Sequence, residues 1–257
     1  VSHKQLNTKK MKRTLEICVD SLQSALNAQA NGADRIELCD NLFQGGITPS
    51  AGKIKLAKEY LKIPVFVLIR PRKSDFLYSD LEFELMLKDI EMAKFFGADG
   101  VVSGVLKEDA TFDLPRMRAL VEATRPLPFT CHRAFDRCSD PLRELKNLAD
   151  IGVDRILTSG QKPTAMEGLA LLDKLAHKAP NGLQIMACGN LLPNNIDPLL
   201  KIKQLKEFHA AVLGPIHSKM RRRGDAPMGE EALSEEFEWK EAVPDLIKGL
   251  SEKVHGK

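Results

Sequence analysis

The apolar positions of this chain fall into two alternating rhythms. Short runs rich in Val, Ile, Leu and Cys lie at Thr14–Val19, Arg35–Cys39, Pro64–Arg70, Gly100–Gly104, Pro128–His132, Arg155–Ser159, Leu183–Cys188 and Glu207–Val212. Their length and β-rich content predict eight strands. Between them, Ser21–Ala30, Glu82–Phe96, Pro115–Thr124 and Pro141–Asp150 are amphipathic and rich in Ala, Leu, Glu and Lys, which predicts helices. Pro115 and Pro141 suit a first helical turn. A last helix is expected at about Ala242–Val254. Eight strands alternating with helices predict an α/β fold, a single (β/α)8 TIM barrel over residues 14–257. A doubly wound open sheet is the alternative. The strand count and the lack of a glycine-rich dinucleotide turn after the first strand weigh against it.

An internal echo supports the barrel. Asn31-Gly-Ala-Asp-Arg-Ile-Glu-Leu, Phe96-Gly-Ala-Asp-Gly-Val-Val and Ile151-Gly-Val-Asp-Arg-Ile-Leu are versions of one phrase. Each has a Gly suited to ending a helix, then an Asp, then a strand. They lie 65 and 55 residues apart, about two β/α units each. Two connections are long: Asp40–Gly52, with its Gln-Gly-Gly-Ile-Thr-Pro-Ser, and Gly214–Glu235, with three consecutive arginines from Arg221. The second offers little to bury and is expected to be mobile.

Composition narrows the function. The formal charge is only +3, and basic residues alternate with acidic ones, which argues against a nucleic-acid or membrane surface. No apolar run reaches the roughly 20 residues of a membrane span. Residues 1–13 are polar and basic, lack the apolar core of a signal peptide, and are expected to form a disordered tail. Five scattered cysteines suit reduced thiols in the cytoplasm better than a disulfide framework. A homo-oligomer is left open.

The chemistry gathers at strand ends, where ligands sit in parallel α/β folds. Pro126 to Asp136 is an apolar strand that runs into Cys131, His132, Arg133 and Asp136. Alternation puts Glu16 and Cys18 on one face of the first strand, and Glu37 and Cys39 on one face of the second. The third strand ends at Arg70 and the eighth carries His209. Each could be a buried polar group satisfied by a neighbour, but charges are rarely buried without partners, and here they recur at one end of several strands. Glu16, Glu37, His132, Asp136 and His209 are candidates for acid–base work, with Arg70 as a clamp for a carboxylate or phosphate. That reading is an enzyme of unspecified reaction acting on a small anionic ligand. Cys18 and Cys39 are the other centre. Soft thiolates prefer Cu(I), and adjacent strands run about 4.8 Å apart, although inward residues on neighbouring strands sit at staggered heights. A third reading is a binding barrel without activity.

The assembled motifs resemble the CutC family of copper homeostasis proteins. They are Leu15-Glu-Ile-Cys, Gly32-Ala-Asp-Arg-Ile-Glu-Leu-Cys, Gly45-Gly-Ile-Thr-Pro-Ser, Ile69-Arg-Pro-Arg, Asp75-Phe-Leu-Tyr-Ser-Asp, His132-Arg-Ala-Phe-Asp and Leu157-Thr-Ser-Gly. The resemblance runs from about Leu15 to about His209. It implies a cytoplasmic (β/α)8 barrel that handles copper, with Cu(I) held by the cysteines matching Cys18 and Cys39. The chain departs from the family pattern at Cys131, at Ala187-Cys-Gly-Asn and at Ala210-Ala211, and most of all from Leu213 to Glu235.

Overall fold

All eight predicted strands form where the apolar runs lie: β1 (Thr14–Val19), β2 (Arg35–Leu38), β3 (Val65–Leu68), β4 (Gly100–Ser103), β5 (Phe129–Cys131), β6 (Arg155–Thr158), β7 (Gln184–Ala187) and β8 (Glu207–Ala210). In this computed structural model, which describes residues 13–222, 226 and 237–256, they pair in parallel and in order. β1 also pairs with β8, so the sheet closes into a barrel. The helices are α1 (Leu22–Ala30), α2 (Ala51–Tyr60), α3 (Asp80–Phe95), α4 (Leu114–Thr124), α5 (Pro141–Asp150), α6 (Leu169–Lys178), α7 (Asp197–Leu200) and α8 (Pro244–His255). The expected (β/α)8 barrel is the fold observed.

Helix starts follow local chemistry. Ser21 caps α1 through the Ser24 N–H, and Asp140 caps α5 just before Pro141. Ser79 and Glu82 form a reciprocal capping box on α3. The three-fold sequence echo has a structural cause. Gly32, Gly97 and Gly152 take φ near +90, +86 and +85°, which turns the chain out of a helix. The following Asp then reaches sideways. Asp34 accepts the Leu15 N–H at 2.8 Å, Asp99 the Val65 N–H at 2.8 Å and Asp154 the Phe129 N–H at 2.7 Å. Each Asp therefore stands before an even-numbered strand and pins the start of the odd-numbered strand beside it. This explains why the phrase recurs every two β/α units.

Side-chain parity divides the barrel wall. Leu15, Ile17, Val19, Ile36 and Leu38 face outward into the large core between wall and helices. The inward residues make only two small apolar groups. One joins Cys18, Cys39, Phe66, Leu68 and Val102, and the other joins Leu157, Met186 and Cys188. Charged side chains fill the space between them.

The structure departs from the sequence reading at the carboxyl-terminal side. Part of the expected loop Gly214–Glu235 is a strand: β9 (Leu213–His217) pairs antiparallel with β10 (Glu238–Ala242). Pro215 and Gly214 hid this strand, because both residues are poor strand signals. Residues 223–225 and 227–236 lie outside the described residues, so the expected mobility there is untested. The hairpin root is tied to α1, where Ala242 donates its N–H to Ser24 Oγ at 3.0 Å and accepts from Asn27 Nδ2 at 3.0 Å. The last helix therefore begins at Pro244 rather than Ala242. Residues 1–12 of the expected tail also lie outside the described residues. Its last residue, Arg13, donates to the Leu200 carbonyl at 2.6 Å.

Candidate functional site

Strand register builds the site. Glu16 of β1 stands level with Arg35 of β2 and with His209 of β8, and Cys18 stands level with Glu37. All five side chains point into the barrel and are buried. Glu16 spans both neighbours: Oε2 accepts from Arg35 Nε, and Oε1 lies 2.7 Å from His209 Nδ1. Arg35 also donates to Glu207 Oε2 at 2.7 Å, and Arg155 reaches that same oxygen across the pore at 2.7 Å. Both guanidinium groups lie over the Phe66 ring, Arg35 at 4.5 Å and Arg155 at 5.3 Å from its centre. Two carboxylates thus balance two guanidinium groups at the barrel floor, as burial of charge requires.

Above this floor sit the softer donors. His209 Nε2 lies 3.6 Å from Glu37 Oε2. Ligand atoms of Cys18, Glu37 and His209 all lie within 4.8 Å of one another. Cys39 follows β2, donates its N–H to the Val19 carbonyl at 2.9 Å, and brings Sγ to 3.9 Å from Cys18 Sγ. Stagger places Cys39 two residues beyond Glu37, yet the two sulfurs are neighbours. All five cysteines are free and buried. Cys18 and Cys188 line a cavity of about 280 Å³ at the barrel mouth, together with Glu37, Arg70, His132 and His209. Cys131 and Cys138 belong instead to the outer core.

The electrostatics follow from burial and partners. Burial opposes the charge on Glu16, but Arg35 and His209 outweigh it and hold the carboxyl down at about 2. Glu37 lacks so strong a partner, and burial pushes its carboxyl up, against the attraction of His209. Burial disfavours the charged form of His209, but the hydrogen bond to Glu16 and the charges of Glu37 and Glu16 raise it overall. The hydrogen bond with Cys39, burial and the Glu37 charge push the Cys18 thiol well above its ordinary range.

The other sequence-predicted residues occupy the opposite side of the mouth. Arg70 donates from Nη1 to the Gly46 carbonyl at 2.8 Å and from Nη2 to the Ser74 carbonyl at 2.8 Å. His132 Nδ1 accepts the Ala134 N–H at 3.1 Å. Its ring packs 4.7 Å from Phe76, and burial together with the Arg70 charge lowers its pKa to about 3. Asp136 is committed to the next loop. It accepts from the backbone N–H groups of Ser159 and Gln161, from the Thr158 and Ser159 hydroxyls, and from Arg133 Nε. Arg35, Arg155 and Glu207 were missed as site members, although their i, i+2 relation to Glu37, Leu157 and His209 carried the signal.

A sequence model of the CutC family matches residues 13–214. The chain belongs to the CutC family. A CutC family protein of Parabacteroides distasonis is 45% identical over 240 residues, covering 93% of this chain and 99% of that protein. A human protein named a copper homeostasis protein cutC homolog is 43% identical over 235 residues, covering 91% of this chain and 85% of its own. The crystal structure of CutC from Streptococcus agalactiae superposes with a TM-score of 0.73 at 34% identity, covering 77% of this chain and 97% of that one. The motifs Leu15-Glu-Ile-Cys and Gly32-Ala-Asp-Arg-Ile-Glu-Leu-Cys are the segments that deliver Glu16, Cys18, Arg35, Glu37 and Cys39 to neighbouring levels of the barrel interior. Among the described residues, no helix is long and apolar enough to cross a membrane.

Proposed function

We propose that this chain is a cytoplasmic copper homeostasis protein that binds Cu(I) through the thiolates of Cys18 and Cys39, with His209 and Glu37 as further donors. In this reading the barrel domain, residues 14–257, carries the whole site. The observation that carries it is the 3.9 Å separation of the two sulfurs, with Cys18 lining the mouth cavity and Cys39 buried behind it. Metal–sulfur bonds run to about 2.3 Å, so two sulfurs up to about 4.6 Å apart can touch one ion. Two thiolates and an imidazole suit Cu(I) better than a hard ion. Glu16 supports this role from behind. Its carboxylate fixes the proton on His209 Nδ1 and leaves Nε2 toward Cys18 and Glu37, the arrangement by which second partners orient metal-binding histidines. The copper homeostasis name of the human relative agrees with the reading.

The test is a Cu(I) competition titration of reduced protein. Cys18→Ser and Cys39→Ser should each weaken binding by about a hundredfold, and the double variant should add little, because the thiols act as one unit. Cys131→Ser and Cys138→Ser should bind as wild type does. Unchanged affinity in both single variants at the pair would remove this site.

A further inference from the structure

The longest described helix is apolar on two faces. α3 has 16 residues, which makes it about 24 Å long. Met86, Ile90 and Ala93 bury one face against the barrel. One flank is held to α4: Lys94 donates to the Ala123 and Arg125 carbonyls, both at 2.7 Å, and Arg116 lies over the Phe83 ring. The face turned away from the barrel should then be polar, as on other surface helices. Instead Leu81, Leu85, Met92 and Phe95 are 75, 48, 44 and 79% exposed. With Lys88 they recur at intervals of four, three, four and three residues, the seam spacing of a two-helix coiled coil. Single exposed apolar residues need no explanation, but a stripe of them along one helix marks an interface.

We propose that this stripe is a homodimer interface, on which a second copy of the chain lays its own α3 antiparallel. The proposal stands independently of the thiol pair. The stripe is self-complementary. Leu81 and Phe95 each lie seven residues from Lys88, and Leu85 and Met92 lie three and four residues from it. A two-fold axis at Lys88 therefore sets Leu81 against Phe95 of the second copy, and Leu85 against Met92 of the second copy, as an isologous contact requires. The charges agree. Glu84 and Glu91 flank Lys88 along one edge of the stripe, so each Lys88 comes within reach of those carboxylates on the other copy. Within one chain Lys88 has only an exposed pair with Glu91 at 3.1 Å, and such pairs contribute little. Exposed Leu77 extends the stripe beyond the helix start, giving a patch on the order of the 800 Å² a side that a stable interface buries.

The test is sedimentation equilibrium of the reduced full chain at concentrations up to about 100 µM. Wild type should show at least twice the 28.6 kDa of one chain. Leu81→Asp and Phe95→Asp should each halve that mass, weakening association by about a hundredfold. Both side chains are exposed in the single chain, so both variants should keep the wild-type circular dichroism spectrum. Trp239→Asp, on the exposed face of the β9–β10 hairpin, should associate as wild type does. Cross-linking reads the register. Lys88→Cys should join to itself on treatment with diamide, because the two-fold axis passes beside it, whereas Lys240→Cys on β10 should not. The five native thiols are buried and leave that readout clear. A monomeric wild type at about 100 µM, an unchanged mass in Leu81→Asp and Phe95→Asp, or no self-cross-link of Lys88→Cys would each overturn the proposal.

Discussion

Glu16 Oε1 and His209 Nδ1 lie 2.7 Å apart across the seam where β1 meets β8 and the barrel closes. Glu16 stays ionised down to about pH 2, so it can only accept, and His209 Nδ1 donates. Arg35 occupies the other carboxylate oxygen. Glu16→Gln therefore leaves a buried guanidinium short of a counter-charge. We expect it to lower stability by about 3 kcal/mol, and to lower the His209 pKa. Urea unfolding and an NMR titration of His209 measure the two effects, and an unmoved His209 pKa would contradict the assigned partnership.

Acid should unfold the protein in two overlapping windows. The folded pKa of His132 is about 3, below its ordinary 6.5, so protons bind the unfolded state preferentially and stability falls as pH drops from 6.5 toward 3. Glu16 is depressed from 4.5 to about 2, so its stabilisation is complete above pH 4.5 and is lost as pH falls toward 2. Between pH 6.5 and 4.5 the His132 contribution should reach about 1.4 kcal/mol per pH unit. His132→Gln should flatten the urea midpoint over that interval, and an equal slope in the variant would exclude His132 as its source.

Copper binding should strengthen with pH. The Cys18 thiol is held protonated far above its ordinary range by its hydrogen bond with Cys39, by burial and by Glu37. Cu(I) must displace that proton, so apparent affinity should rise by up to about tenfold per pH unit for each proton released. Competition titrations at three pH values spanning neutrality will read the slope. A flat profile would mean that thiolates are not the ligands.

Gly46 backs the thiol pair. It takes φ +80°, and a Cβ there would lie 2.7 Å from Leu68 Cδ2 and 3.4 Å from Cys39 Sγ. Gly46→Ala should cost about 1–2 kcal/mol of stability from the left-handed backbone alone. By displacing Cys39 it should also weaken Cu(I) binding in protein that still folds. Full affinity in the folded variant would show that Cys39 is free to adjust.

Much of this protein is legible along the chain, because strands, helix caps and turns are set by neighbours in sequence. The alternation of Glu16 and Cys18 against Leu15, Ile17 and Val19 already says which side chains share a face. The spacing of Gly32, Gly97 and Gly152 already says that the unit repeats. What the chain cannot carry is which inward residues meet, since that depends on the register across eight strands and on closure of β1 against β8. Glu16 and His209 are 193 residues apart, and Arg35 and Glu207 are 172 apart. Local pattern therefore suggested two separate inventories, thiols for metal and polar groups for acid–base work. Closure divides the mouth differently, joining Cys18 to Glu37 and His209 on strands one, two and eight, with Cys39 just past strand two beside Cys18. Arg70 and His132, just past the ends of strands three and five, line the same cavity from the other side.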